Sequence, residues 1–134
     1  MVGEHDLNTL LAGMNPTMDS GIYVFATLSN RDIPAGLNPR MVFQETEGTT
    51  LILAQSEADN AGIAYVFASR MITLNVHSAL DAVGFIALIA TRLAGLGMGV
   101  NPVACFYHDH LFFPADRADD AMRALHQMIT EAQG

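Results

Sequence analysis

The sequence predicts an α+β protein made of two related units, each with an antiparallel sheet and helices on one sheet face. Residues 50–61, TLILAQSEADNA, return in residue type as residues 110–121, HLFFPADRADDA. Each copy resembles an apolar strand that leads into an acidic helix start, and a repeated segment indicates a repeated folding unit. The chain has 134 residues, 51% hydrophobic and 15% charged, which suits one globule with a filled core.

The first unit, assigned to residues 1–68, begins with a short amphipathic helix. Its apolar residues recur at helical spacing until Asn15-Pro16 ends the run: Leu7, Leu10, Leu11 and Met14. Residues 21–28 are rich in β-branched and aromatic side chains and predict a strand. Residues 29–40 contain two prolines, a glycine and two asparagines, so they predict a loop. We therefore expect the first helix to cover the sheet face that this loop leaves open.

The rest of the first unit follows the pattern of a hairpin, a helix and a closing strand. Residues 41–46 and 49–54 are strand-like, and Glu47-Gly48 between them suits a tight turn. Ser56 is a candidate helix cap, and Gly62 is a candidate helix end. Residues 63–68 predict the closing strand.

The second unit, assigned to residues 69–134, has the clearer periodicity. Residues 71–76 alternate as a strand, and Ser78 marks the start of a helix that continues to residue 96. A second hairpin is expected to turn at His108-Asp109. The last helix has one apolar face, formed by Ala118, Ala121, Met122, Leu125, Met128 and Ile129. The order β-α-β-β-α is the ferredoxin-like arrangement without its last strand, which leaves a sheet edge that must be covered or paired.

The charge of the chain excludes several classes of function. There are 14 Asp and Glu residues against 6 basic residues, all of them Arg, and the formal net charge is -8. Without Lys there is no Schiff-base nucleophile and no Walker-type phosphate lysine. The negative charge would repel nucleic acid and anionic membranes. The longest apolar run, residues 82–90, is shorter than the roughly 20 residues of a membrane span. The charge and the length of this run together predict neither a nucleic-acid partner nor a membrane partner.

Cysteine usage and the first residues bear on location. Cys105 is the only cysteine, so no internal disulfide can form, and residues 1–6 lack the basic and apolar regions of a signal peptide. We therefore expect a cytoplasmic protein. Cys105 lies in an apolar run and is predicted to be a buried core residue rather than a nucleophile.

Several motifs resemble the tandem ACT-like family of small bacterial proteins. The second half carries VHSALDAVGF at residues 76–85, GVNPV at 99–103 and YHDHLF at 107–112. In the first half, EHDLNTLL at residues 4–11, YVF at 23–25 and ETEG at 45–48 are also similar to that family. The similarity extends over nearly the whole chain and implies two ACT-type units of ferredoxin-like fold.

The resemblance implies a ligand-binding regulatory protein without chemistry of its own. ACT modules sense amino acids or similar small molecules, usually where two modules meet. By position, the ligand would face the turn His77-Ser78-Ala79-Leu80, together with Asn101 and Val103 on the neighbouring strand. A helix start at this turn would offer unpaired N–H groups to a carboxylate, although Ser78 could instead merely cap the helix.

Gly84 is the remaining candidate for the ligand site. A glycine inside a helix costs about 1 kcal/mol relative to Ala, so the close approach of a ligand or a strand would explain it. His108 and His110 could bind a metal, but a turn at His108-Asp109 would separate their side chains. No metal site and no cofactor is predicted, and the role of these two histidines stays open.

The sequence therefore predicts a non-enzymatic protein that binds a small molecule such as an amino acid. The alternative is a structural or protein-interaction module without a ligand. The helix over residues 79–96 is apolar nearly all round, and the second unit has an open sheet edge. Both features favour a homodimer, and an unidentified protein partner is the other candidate for that edge.

Overall fold

A computed structural model describes residues 3–29 and 32–134, so part of the predicted loop, residues 30 and 31, lies outside the described residues. In chain order the elements are α1 (Leu7–Gly13), β1 (Pro16–Met18), β2 (Tyr23–Leu28), β3 (Met41–Gln44), β4 (Thr49–Ala54), α2 (Gln55–Ala61), β5 (Val66–Leu74), α3 (Phe85–Ala94), β6 (Asn101–Ala104), β7 (Asp109–Pro114), a 3-10 turn (Ala115–Arg117) and α4 (Ala118–Gln133).

The chain divides into two compact units. The central unit comprises residues 20–69, and the larger unit combines the segment before residue 20 with residues 70–134. The boundary between residues 68 and 69 that the sequence predicts stays a prediction. The packing differs from it in one respect, because it groups the N-terminal segment with the second half of the chain.

The central unit is built around two antiparallel strand pairings of β4, one with β2 and one with β3. Its strand order is β3-β4-β2 followed by the first part of β5. The predicted hairpin is confirmed, with the Glu45 amide donating to the Gly48 carbonyl at 2.8 Å. Gly62 ends α2 in the left-handed conformation at a φ of 66°, which a residue without Cβ adopts at little cost.

The apolar face of the central unit is covered by α2 and by the loop after β2. Buried Val24, Leu51 and Leu53 form its core with Ala58 of α2, and Ile33 and Leu37 from the loop pack against it. The expectation that the first helix covers this sheet face is wrong, because α1 packs with α3 and α4 in the larger unit.

In the larger unit the N-terminal strand β1 occupies the position of the strand that the second sequence half lacks. The strand order is β1-β5-β7-β6, and β1 pairs antiparallel with the last part of β5, with Pro16 opposite Leu74 and Met18 opposite Ile72. The sheet edge that was expected to need a partner is therefore paired within the chain. This finding removes one of the arguments for a dimer.

The core of the larger unit gathers residues from both ends of the chain. Leu10 and Met14 are buried with residues of β5, α3, β7 and α4, which supply Ile72, Leu74, Phe85, Ile89, Leu93, Leu111, Phe113, Ala121, Leu125 and Met128. The apolar face predicted for the last helix is confirmed. No helix within residues 3–29 and 32–134 is long and apolar enough to cross a membrane.

The two strands predicted over residues 63–68 and 71–76 are one strand, β5. The polar pair Ser69-Arg70 does not interrupt it, because both side chains bond to backbone carbonyls. The Ser69 hydroxyl, which is buried, donates to the Tyr23 carbonyl at 2.8 Å, and the Arg70 guanidinium donates to the Asp19 carbonyl at 2.8 Å. Satisfied polar groups can therefore lie inside the strand.

Candidate functional site

A cleft of about 160 Å³ opens in the larger unit. One wall is the segment between β5 and α3, the second is the start of α3, and the third is where β6 ends and β7 begins. Residues from all three walls line it, among them Ser78, Leu80, Phe85, Ile86, Ala104 and Asp109.

The helix predicted from Ser78 begins seven residues later, at Phe85. Gly84 precedes it with a φ of 94°, a conformation that L side chains rarely adopt, and a Cβ there would meet only the Leu7 side chain at 3.7 Å. The expected close approach of a ligand or strand is therefore not the reason for this glycine; its backbone conformation is. Ser78 does not cap a helix.

The start of α3 has no side-chain cap. The first α-helical hydrogen bond is donated by the Leu88 amide to the Gly84 carbonyl, so the amides of Phe85, Ile86 and Ala87 have no acceptor within the helix. All three residues line the cleft. A helix start carries partial positive charge, so this wall favours a negatively charged group.

Another wall of the cleft carries an acidic side chain. Asp109 is 6% exposed and Ser78 is 9% exposed, and the Ser78 hydroxyl donates to Asp109 Oδ2 at 2.9 Å. Asp109 alternates with Leu111 and Phe113 along β7, and this places its side chain on the buried face of the strand. The turn predicted at His108-Asp109 is wrong, since the Cys105 amide donates to the His108 carbonyl and Asp109 is the first residue of β7.

The N-terminal segment holds the first wall in place. The Glu4 amide donates to the His77 carbonyl at 2.8 Å, and the Ala79 amide donates to the Glu4 carbonyl at 2.9 Å. His5 Nε2 lies 2.7 Å from Asp81 Oδ1. These contacts form a short parallel bridge that we call the N-terminal clamp, residues 3–5. The position of the cleft wall therefore depends on residues more than seventy positions away in the sequence.

Just after the clamp, Asp6 caps α1. Its carboxylate accepts from both the amide and the hydroxyl of Thr9, and the hydroxyl bond contributes most to lowering the pKa of Asp6 below its usual value. The ionised form of the cap therefore persists to lower pH than that of an aspartate without these hydrogen bonds.

We expect Gly3→Ala to release the clamp. Gly3 has a φ of 105°, and a Cβ at this position would lie 2.7 Å from the Ala79 amide nitrogen, so the two segments must separate. Hydrogen exchange at the Ala79 amide should become faster. Gly13→Ala is the matched control, because a Cβ there meets nothing within 4 Å. Unchanged protection of Ala79 in the Gly3 variant would contradict the clamp.

The structure gathers four of the seven predicted site residues around the cleft: Ser78, Ala79, Leu80 and Gly84. His77 instead packs against the rings of Phe106 and Tyr107, with centroid distances of 6.2 and 5.7 Å. Asn101 and Val103 lie on the edge strand β6 away from the cleft lining, and Ala104 takes their place there. Ligand contact by any of the seven stays a prediction.

Sequence reasoning missed Asp109, which it placed in a turn. The signal was the alternation with Leu111 and Phe113, which assigns all three residues to one strand face. The repeat also pointed to it, because extending both copies by one residue aligns Asp109 with Thr49. These two residues begin strands with identical burial along their length.

Other candidates from the sequence have different surroundings from those expected. Cys105 is exposed and not a core residue, because the β6–β7 turn begins there. His110 Nδ1 lies 2.9 Å from the Thr73 hydroxyl, so this ring nitrogen is hydrogen-bonded to the neighbouring strand β5. Over residues 3–29 and 32–134, His, Cys, Asp and Glu side chains form no group of three or more suited to a metal ion.

Comparison with known families and structures agrees with this architecture. Residues 2–70 match one ACT domain model, and residues 66–127 match a second. A Vibrio cholerae protein of unknown function, described as a possible transport protein, is 38% identical; the match covers 92% of this chain and 95% of that one, with a TM-score of 0.81.

Two more distant structures share the fold. A protein from Agrobacterium tumefaciens is 17% identical, with a TM-score of 0.74 and coverage of 87% and 89% of the two chains. The regulatory subunit of aspartate kinase from Thermus flavus is 14% identical, with a TM-score of 0.65 and coverage of 84% and 95%. Among curated proteins none matches this sequence. The resemblance found in the sequence is thus confirmed: the chain belongs to the ACT domain family and carries two such domains in tandem.

Proposed function

We propose that this protein binds a small molecule, an amino acid, in the cleft at the start of α3, and that it regulates a partner without catalysing a reaction. The observation that carries the proposal is the uncapped start of α3, whose first three residues line a cleft of about 160 Å³. Membership of the ACT domain family supports it, since such domains are regulatory. We further propose a cytoplasmic location, which fits the absence of a disulfide-forming pair of cysteines.

The start of α3 suits a carboxylate. Its first amides have no acceptor within the helix and can donate hydrogen bonds to a ligand, and the helix dipole adds a favourable electrostatic contribution of about 0.3–1 kcal/mol. From the sequence these donors are expected at residues 77–80, but α3 begins at Phe85, so its first amides belong to Phe85, Ile86 and Ala87. The start of a helix favours a carboxylate at either position.

A specific observation favours protein association in addition. Phe106 and Tyr107 are 58% and 65% exposed at the β6–β7 turn, beside the edge strand β6. Exposed aromatic rings next to an unpaired edge are typical of interfaces. We propose that the protein forms a homodimer through this surface. The alternative function is a protein-interaction module that binds no ligand.

The proposal is tested by thermal melting in the presence of each standard amino acid. A ligand at 100 times its dissociation constant stabilises the folded state by about 2.7 kcal/mol, which raises the melting temperature by several degrees. Ala87→Pro, which removes one amide at the start of α3, should reduce the shift. Ser56→Pro, which makes the same kind of change in the first turn of α2, is the matched control, because Ser56 lies in the central unit and outside the cleft lining. Unchanged melting with every amino acid would favour the interaction module, which sedimentation velocity would then examine.

A further inference from the structure

We propose that Asp109 and Ser78 form a receptor for a primary ammonium group, so that the cleft takes small primary amines and orients an α-amino acid with its amino group on β7. This inference deepens the proposed function and rests on it for the identity of the amino acid. The Asp109 carboxylate supplies the charge, and the Ser78 hydroxyl oxygen supplies a further acceptor beside it.

The first argument is the environment of the carboxylate. Asp109 is 6% exposed and lines the cleft, and no basic residue is among the described residues that line the cleft with it. A buried carboxylate is costly without a cation or several hydrogen bonds, and Asp109 has its bond from Ser78 at 2.9 Å. An ammonium group in the cleft would supply both a counter-charge and donors.

The second argument is the internal duplication. Thr49 is the counterpart of Asp109 in the central unit, is 1% exposed, and begins a strand with the same pattern of buried and partly buried residues. A small neutral side chain is therefore sufficient for the strand at this position. Burying the Asp109 carboxylate therefore costs free energy that the fold of this strand does not require, and this points to a binding role for the residue.

The third argument is polarity across the cleft. Asp109 and the first three residues of α3 line the same cleft, on different walls. An α-amino acid carries an ammonium group and a carboxylate on one carbon, so one small cavity can offer each charged group its complement. A ligand with a carboxylate and no amine would bring no counter-charge to Asp109.

The test uses ethylammonium chloride and sodium propionate as probes, with sodium chloride at equal ionic strength as the reference. These probes present the amine alone and the carboxylate alone. Amide resonances of the ¹⁵N-labelled full chain are followed during each titration. We expect ethylammonium to shift the Ser78, Ala104 and Asp109 amides, and propionate to shift those of Phe85, Ile86 and Ala87.

Two variants at one position make the test specific. The variants are Asp109→Asn and Asp109→Thr, and the second introduces the residue type that the repeat has at position 49. In both variants ethylammonium binding should weaken by roughly tenfold to a hundredfold, which is the range expected for the loss of a charged hydrogen bond. Thr49→Val is the matched control and should bind as the parent does. Circular dichroism establishes that each variant is folded, and the parent titrations alone already decide the matter if one variant is not.

The outcomes separate the two proposals. Ethylammonium shifts that match those of sodium chloride, or that persist in both Asp109 variants, overturn the amine receptor. If an amino acid still raises the melting temperature in that case, the proposed function stands without the receptor. If ethylammonium binds at Asp109 but no amino acid stabilises the protein, the receptor stands and the proposed function fails.

Discussion

Removal of residues 1–19 is expected to abolish the cooperative folding of the larger unit. The deletion takes away β1, which pairs with β5, and α1, whose residue Leu10 is buried with the following Met14 in the core formed with α3 and α4. Losing one buried leucine alone costs about 2–5 kcal/mol, and a domain of this size is stable by about 5–15 kcal/mol. Urea unfolding followed by circular dichroism should show no cooperative transition for this unit.

A circular permutant is the matched control for the deletion. The Gln133 side chain donates to the Ala12 carbonyl at 3.1 Å, so the end of α4 lies beside α1. Residues 3–19 attached after Gly134 by a flexible linker of about ten residues should therefore restore β1 and α1. Cooperative unfolding of the deleted chain, or failure of the permutant to fold, would contradict the assignment of β1 as the last strand of the larger unit.

Phe113→Ala is expected to lower the free energy of unfolding by about 3–5 kcal/mol. Phe113 is fully buried in the core of the larger unit, and a truncation there leaves a cavity that the surrounding β5 and α3 side chains cannot fill without distortion. The change is measured as a lower urea midpoint at constant m-value.

Phe43→Ala provides the control with the same chemical change. Phe43 is 62% exposed on β3, so its truncation should alter stability by less than about 0.5 kcal/mol. Equal effects of the two substitutions would mean that β7 does not form the core of its unit.

The parts of the fold that the sequence predicted depend on short-range patterns. The hairpin around Gly48, the end of α2 at Gly62 and the apolar face of α4 all follow from residues within a few positions of one another. The repeat of residues 50–61 and 110–121 located two equivalent strands, and the structure gives them the same burial.

The parts that it missed depend on long-range contacts. Nothing in residues 7–18 indicates that their partners are β5, α3 and α4, because that pairing is a property of topology and not of local periodicity. The delayed start of α3 has the same origin. Residues 77–79 are held by Glu4, and Gly84 allows the turn from which the helix begins.

The candidate site shows the same division. The resemblance to the family led to Ser78, Ala79 and Leu80, and the cost of a glycine inside a predicted helix led to Gly84; all four residues line the cleft. It also led to His77, whose ring packs against Tyr107 instead, since the orientation of a loop residue depends on neighbours that the sequence does not reveal.

The exposed position of Cys105 offers a practical benefit. It is the only thiol in the chain and directly follows Ala104, which lines the cleft. An environment-sensitive fluorophore can therefore be attached beside the cavity of the parent chain without introducing or removing a cysteine, and its emission would report occupancy in real time.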